Sequence, residues 1–591
     1  MNQETTSTPR PGLLFFTLVG LAVAGLATLL TLPGLDTGAR QLADTDGYMR
    51  FVRIADLRAG AVGWFESFEW RSNTPFGHSM HWTRPQDAVV IGISLLLQPF
   101  VGVGDALYLA AVASGPLLFG VLGGVVAWAA LPLVGRVGAV VAGLGVALQP
   151  GLAAYGAAGR VDHHALIFVV AGLLLGVAVR LGLAPSRRLA VAAGGLAALG
   201  VWVSTEFLLP VGLALVAGAV AWVRHGPVAA RTLRTAAGSW LVGSVVCLFV
   251  ERGSGELATA ELDRLSWVHV FVAGVVSACW WAADRWPEGR PSDRLVRGVV
   301  IAVAALAAVV VVVPQFLSGP FGDVPRELWD GWLGGVAELQ SLWPLGDGFE
   351  RSLYLLAAPV LGIGQATLAA RRGASAVWWG IAAVLVVTSV LAVLQLRFST
   401  YPQLVAPLPW AWLAATLVDK VGPRRDVVGS LARVGAMGLG VAGFLVPVLA
   451  VGLVSDRQAS SGASQCGIDT MVEIVTRTAG PAVLAHVDFG PELLYRTAAR
   501  VVASPYHRNV EGILDGRRFF LGGAEEAREL ASRRSIDLVF VCPTRDRGYL
   551  GEAADDPGSM YRMLVEGSQP AWLVEIPTSD DLLAFAVDAG G

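Results

Sequence analysis

Apolar runs long enough to cross a bilayer recur from residue 13 to residue 455, and that recurrence excludes most folds. They lie near 13–33, 107–132, 137–157, 163–180, 189–204, 207–223, 235–250, 266–283, 298–314, 353–370, 375–395, 401–418 and 434–454. That makes about thirteen crossings, each too long for a strand in a soluble core. The composition agrees: 54% of the 591 residues are hydrophobic and only 15% charged, as in a polytopic membrane protein. The first run follows Arg10 and lacks a small-residue cleavage site, so it reads as a retained span rather than a signal peptide. The stretch 88–103 is apolar too, but Pro99 lies near its end and it runs almost directly into the next span. It reads as a helix lying at the interface or re-entering the membrane.

Charge sets the orientation. With the N-terminus inside, the cytoplasmic loops hold Arg136, Arg180, Arg187, Arg188, Arg224, Arg231, Arg234, Arg285, Arg290, Arg294, Arg297, Arg371, Arg372, Lys420, Arg424, Arg425 and Arg433. The outer loops hold Asp44, Asp46, Asp162, Glu206, Glu251, Glu256, Glu261, Asp263 and Glu338. Counting 88–103 as a crossing would turn the arginine clusters outward. An odd number of spans and an outward C-terminal region are therefore expected, in the inner (plasma) membrane. The outer loops 34–106 and 315–352 are long, and loops of that length seldom lack a task.

Two domains are expected: 1–455 in the membrane, mainly α, and 456–591 outside it. After residue 455 strand-like runs (Ala482 to Val487, Asp537 to Cys542) alternate with a helical one (Ala524 to Arg533), which suggests a small α/β domain. Cys466 and Cys542 fall in it, either bridged or as two buried thiols. No internal repeat, Gly-rich phosphate loop, zinc spacing or basic nucleic-acid patch occurs, so nucleic acid is not an expected partner.

Four outer segments carry chemistry. Asp44 and Asp46 stand two apart just beyond the first span, where carboxylates converge on a hard cation or simply cap the helix that follows. Asp162, His163 and His164 enter an apolar helix together; each alone reads as a cap or an interfacial histidine, but three ionisable groups at a span's mouth point to a site. Glu338 lies mid-loop among apolar residues, where a lone Glu is ordinarily solvated. Arg397, beside Ser399, Thr400 and Tyr401, is an outer arginine in a chain whose arginine clusters are inside. It either snorkels to headgroups or grips a phosphate through its fork.

Taken together, these segments resemble the catalytic subunit of oligosaccharyltransferases, among the C-type membrane glycosyltransferases. Asp46-Gly47-Tyr48 matches that family's first-loop Asp-x-Tyr motif, Asp162-His163-His164 its second-loop acidic motif, and Val336-Ala337-Glu338 its later Ser-Val-x-Glu pattern. Arg397 looks equivalent to the arginine that binds the donor diphosphate. The likeness covers about residues 13 to 455 and, weakly, the tail. His164 stands where the family usually has an acid. The tail motif that reads an Asn-x-Ser/Thr acceptor is matched only by His486-Val487-Asp488-Phe489-Gly490, without its two tryptophans.

The resemblance implies a fold of thirteen spans with an outward C-terminal domain. It implies a metal site of Asp46, Asp162 and Glu338, with His164 as a further ligand, holding Mg²⁺ or Mn²⁺. Arg397 and Tyr401 would take the donor's diphosphate and Asp488 would face the acceptor. The expected activity is transfer of a glycan from a polyprenyl-(di)phosphate carrier to an acceptor, possibly protein, on the outer face. Two alternatives stand beside it. One is a lipid-linked sugar transferase acting on a lipid or cell-envelope glycan. The other is a flippase or transporter without chemistry, which would place polar groups through the depth of the bilayer.

Overall fold

The apolar stretch Val103–Leu148 is 46 residues long. A straight helix of that length would be about 69 Å, twice the thickness of a bilayer core. Gly135 resolves the conflict: its backbone (φ 69°, ψ −172°) breaks the helix, and φ > 0 costs least at glycine. In this computed structural model, residues 11–421, 426–440 and 466–588 are described, apart from 287, 320, 323, 344, 439 and 579–580.

The chain enters with α1 (Leu13–Thr31), then forms α2 (Thr45–Ala59), α3 (Pro85–Val101), α4 (Val103–Gly145) and α5 (Pro150–Tyr155). Next come α6 (His164–Leu183), α7 (Arg187–Val203), α8 (Leu208–His225), α9 (Pro227–Glu251), α10 (Trp267–Arg285) and α11 (Pro291–Val312). The short α12 (Arg326–Gly331) lies in the second long loop, before α13 (Leu345–Arg371), α14 (Val377–Leu394), α15 (Thr400–Val405) and α16 (Pro407–Val421). Ten helices are long and apolar enough to span a membrane. Dividing Val103–Leu148 at Gly135 and adding the 17-residue α7 gives twelve crossings among the described residues. The expected span at 434–454 lies almost wholly outside them. The helices meet through small residues: a Cβ on Gly20 of α1 would lie 2.7 Å from the Gly120 carbonyl oxygen of α4.

Both ends of α3 stay at one end of the bundle. Arg84, before it, donates its backbone N–H to Glu251 at the end of α9 (3.1 Å), and Gln98 near its other end accepts from Arg58 of α2 (2.6 Å). It therefore does not cross, as an interfacial helix should not, and Leu95, Leu96 and Phe100 remain exposed along it.

Buried charge ties that end together. The fully buried Glu251 accepts from the Arg84 backbone, from Trp202 Nε1 (2.9 Å) and from Arg264 (3.0 Å). Arg84 also pairs with Asp87 (3.0 Å), and Asp87 with Arg50 of α2 (2.8 Å). The opposite end gathers arginines, with Arg234 paired to Asp284 (2.6 Å) and Arg294 donating to the Val223 carbonyl (2.9 Å).

The C-terminal domain packs on the acidic end. The outer loop after α2 forms a hairpin of β1 (Phe68–Glu69) and β2 (His78–Ser79). The domain's own strands are β3 (Ala482–Leu484), β4 (Arg500–Val501), β5 (Leu538–Val541), β6 (Leu573–Ile576) and β7 (Leu583–Val587), in the order β4-β3-β5-β7-β6. β3 runs parallel to β4 and β5, while β7 is antiparallel to β5 and β6. Residues 71–74 of the outer loop extend the sheet: Val501 donates to the Arg71 carbonyl (2.7 Å) and accepts from Thr74 N (3.0 Å). Met49, Val52 and Trp82 share one core with Met471, Leu493 and Phe540, so the domain and α2 bury each other's apolar surface. Cys466 and Cys542 are bridged, which decides between the two sequence readings.

Asp546 lies beside that bridge. One carboxyl oxygen accepts from Cys542 N (2.6 Å), and the other is buried without a partner. Burial pushes its carboxyl up from 3.8 to about 7. The protonated form is therefore preferred in the folded state, and the stability this contributes is complete below pH 3.8 and lost as pH rises through 7. Asp546→Asn should flatten that fall, as read from thermal unfolding of the full chain between those pH values. Sidedness has its own test. Arg477 of the C-terminal domain and Arg290 at the arginine-rich end are both exposed. An impermeant maleimide on intact cells should label Arg477→Cys and leave Arg290→Cys unlabelled; the reverse would invert the orientation.

Candidate functional site

Asp44 caps α2, accepting from Gly47 N at 2.7 Å, which frees Asp46 in the first turn to face a cavity of about 1070 Å³. A Cβ on Gly47 would lie 2.9 Å from the Asp44 Oδ1, so the cap requires glycine there. The sequence allowed capping or cation binding for this pair of acids; the geometry gives the cap to Asp44 and leaves Asp46 on the cavity. A backbone bond joins the first motif to the second: Ala43 N donates to the carbonyl of Gly159 (3.1 Å), whose φ of +77° turns the chain toward Asp162.

Asp162 is almost fully buried. With their protons on Nδ1, His163 donates to its Oδ1 (2.8 Å) and His164 to its Oδ2 (2.6 Å). Burial pushes the Asp162 carboxyl up, but His164 and His163 outweigh it and hold the group well below the usual carboxylate range. Asp46 behaves oppositely. Burial, then the negative charges of Asp162, Asp44 and Glu338, push it well above that range. Those repulsions register how closely the carboxylates crowd.

Glu338 reaches this group from the second long loop. Its Oε1 accepts from the Tyr155 hydroxyl (2.7 Å), and the Tyr155 ring packs between His164 (4.5 Å) and the Arg160 guanidinium (4.2 Å). Arg160 pairs with Asp44 (3.1 Å) and lies 3.8 Å from Asp162. Glu338 is thus anchored rather than solvated.

Arg397 stands on the same wall. It pairs with Glu206, whose other oxygen accepts from the Tyr401 hydroxyl (2.9 Å), and His164 Nε2 lies 3.9 Å from Glu206. Arg397 is therefore bonded within the protein rather than extended to headgroups. Asp488 lines the cavity on the C-terminal side and is 43% exposed, with its backbone N–H bonded to His486 Nδ1 (3.2 Å). The structure thus brings Asp46, Glu338, Arg397 and Asp488 to one cavity, with Asp162 and Tyr401 immediately behind its wall.

Sequence reading missed several groups. Tyr506, on the loop after β4, lies against Asp46; burial and the Asp46 and Asp44 charges push its phenol well up. Its neighbours latch the domain down: Asp263 accepts from His507 (2.7 Å) and from Arg508 Nε (2.7 Å). His81, Asp263 and His507 are close enough to share a cation. Arg508, however, already binds both Asp263 oxygens, so this set serves as a clasp. Tyr155, Arg160 and Glu206 were also passed over as site residues, although Glu206, an acid at a span's mouth, carried the same signal as Asp162.

Among the described residues at this wall, Asp162, His163 and His164 stand close enough to share a cation, and the charges of Asp162, Asp44 and Glu338 that repel Asp46 are what a cation would relieve.

No protein-family model and no curated protein matches the chain. Solved structures do. The archaeal oligosaccharyltransferase AglB from Archaeoglobus fulgidus, in complex with an inhibitory peptide and a dolichol-phosphate, superposes with a TM-score of 0.71 at 15% identity, covering 89% of this chain and 69% of that one. An Archaeoglobus fulgidus oligosaccharyltransferase tethered with an acceptor peptide containing the NVT sequon gives 0.67 at 14% identity, with the same coverage. A complex of such an enzyme with Zn and sulfate gives 0.61 at 13%, covering 88% and 67%. At these identities the likeness is one of architecture: the chain has the C-type membrane glycosyltransferase fold.

Proposed function

We propose that the chain is a membrane glycosyltransferase of the oligosaccharyltransferase kind, moving a glycan from a polyprenyl-(di)phosphate carrier to an acceptor on the outer face. One observation carries the reading: Asp46, Asp162, His164, Glu338 and Arg397 come from four distant segments and meet at one end of the bundle. The related fold of enzymes solved with a dolichol-phosphate, an acceptor peptide or Zn supports it. A transporter would need polar groups through the membrane's depth, whereas these lie at one face.

In the reaction the bond between the sugar's anomeric carbon and the carrier's phosphate oxygen breaks, and a bond from the acceptor's nucleophile to that carbon forms. The nucleophile's proton passes to one of the carboxylates that line the cavity. The carrier departs with its phosphate, held by Arg397. Asp46, Asp162, Glu338 and His164 would hold Mg²⁺ or Mn²⁺, which would supply charge neutralisation at the leaving phosphate. Tyr155 keeps Glu338 and its loop in place, and the C-terminal domain with that loop limits water in the site.

A second reading has an observation of its own: the tail motif lacks both tryptophans, and Asp488 is flanked instead by His486, with Tyr549 packed on that imidazole at 4.9 Å. A lipid-linked sugar transferase acting on a lipid or cell-envelope glycan would have no need of a peptide-reading pocket.

Purified protein incubated with a lipid-linked oligosaccharide pool, an Asn-x-Thr peptide and a lipid extract should yield a glycosylated acceptor, identified by mass spectrometry. Chelation, or Asp46→Ala, should abolish transfer, and Mn²⁺ or Mg²⁺ should restore the chelated enzyme; full activity in excess chelator would remove the cation from this account. Arg397→Ala should cost about 1.5–3 kcal/mol in donor handling, roughly ten- to a hundredfold in kcat/KM. Lys should rescue in part, since it keeps the charge and loses the fork. Asp488→Ala should leave donor KM unchanged and alter acceptor use.

A further inference from the structure

Glu206 sits at the turn between α7 and α8, with only 7% of its side chain exposed. It is placed by its own backbone, whose N–H is accepted by Ser204 Oγ (3.3 Å). One carboxylate oxygen pairs with Arg397 and lies 3.9 Å from His164 Nε2, and the other accepts from Tyr401 (2.9 Å). All three partners belong to the site, yet none of the motifs that identify the site includes Glu206.

Its position is at first sight perverse. Arg397 is placed to hold a phosphate, and a carboxylate beside it cancels the charge that would attract one. The other arginine lining the cavity, Arg160, is likewise matched, by Asp44 at 3.1 Å. Against these two arginines, six carboxylates line the cavity: Asp44, Asp46, Glu206, Asp263, Glu338 and Asp488. A phosphate entering here meets no lining guanidinium that lacks a carboxylate, among the described residues. Each further negative charge on the ligand is then repelled by buried anions, in surroundings that screen them poorly. Arg397 does keep a buried N–H to give: its Nε has no acceptor among the described residues. A buried donor of that kind is satisfied by one phosphate oxygen.

We propose that Glu206 sets the charge of the donor. By neutralising Arg397 and leaving one of its N–H groups unpaired, it fits the cavity to a carrier whose sugar linkage is a phosphodiester with one negative charge, and against the doubly charged diphosphate. The inference rests on the reading of this cavity as a donor site and narrows its substrate class.

The test is binding without turnover, so that no acceptor need be known. The probes are polyprenyl methyl phosphate, with one charge, and polyprenyl methyl diphosphate, with two, on the same lipid. Each is titrated in the presence of Mn²⁺ into the full chain in detergent and read by native mass spectrometry. The wild type should bind the monophosphate probe at least about tenfold more tightly. Glu206→Gln keeps the size and can still accept from Tyr401, but removes the charge; it should shrink that preference at least about fivefold, by improving diphosphate binding. Glu206→Asp keeps the charge and should keep the preference. A wild type that favours the diphosphate overturns the inference, and so does a folded Glu206→Gln protein with the ratio unmoved; both leave the donor site standing. A wild type that binds neither probe removes the donor site itself. The wild-type ratio is decisive even where a variant does not fold.

Discussion

The buried carboxylate of Glu251 governs how the acidic end of this molecule is assembled. An ionised group with no exposed surface must be matched at close range, because leaving it unpaired costs several kcal/mol, about 3–5 when one partner is removed. Its match is built from three directions: the Arg84 backbone before α3, Trp202 on α7 and Arg264 in the loop after α9. Arg84 passes the constraint on through Asp87 to Arg50, and Arg50 NH2 lies 3.4 Å from His163 Nδ1. A run of polar and ionic contacts thus reaches from the end of α9 to α2 and comes within 3.4 Å of His163 at the mouth of α6. It sets α2, which carries Asp46, against α6, which carries His164 beside Asp162. The candidate site is held by an ionic frame that lies next to it and shares no carboxylate with it.

The same physics explains what was legible in the sequence. Which loops share an end of the bundle was readable because arginines gather at one end and acids at the other, and a span cannot hide either. The division of this stretch into spans at 107–132 and 137–157 was readable because the combined length exceeded a bilayer; that Gly135 makes the break was not. Asp46, Asp162, His164 and Arg397 could be picked out because each stood near the junction of a loop and a span, whereas mid-loop Glu338 and Asp488 in the tail came from the resemblance. Tyr155, Arg160 and Tyr506 could not be, since what makes them site residues is a partner far away in sequence: Glu338 for Tyr155, Asp44 for Arg160 and Asp46 for Tyr506. No local period or composition encodes such a pairing. Asp44 shows the reverse. It stands beside Asp46 in sequence, yet its duty is the helix cap and the Arg160 pair.

The C-terminal domain is more than an appendage to the bundle. Residues 71–74 join its sheet, Met49 and Trp82 join its core, and Arg508 and His507 hold Asp263. These contacts bring Tyr506 against Asp46, so one wall of the cavity belongs to the domain. Apolar burial and ionic pairing act together here, and neither alone would fix the wall: the shared core supplies the attraction, and the Asp263 clasp supplies the register.

An acid-rich cavity at a membrane surface needs something to offset its own repulsion. The structure shows three partial answers: histidine pairs on Asp162, a cap for Asp44, and the arginine–carboxylate pairs of Arg160 and Arg397. Asp46 is left outside all of them; burial and the acids around it push its carboxyl well above the usual carboxylate range. A group kept in that state responds sharply to any cation that arrives, since the incoming charge reverses the sign of its surroundings. The site therefore stores its sensitivity in Asp46, which meets the phenol of Tyr506, and the pairs around it keep that carboxylate in place.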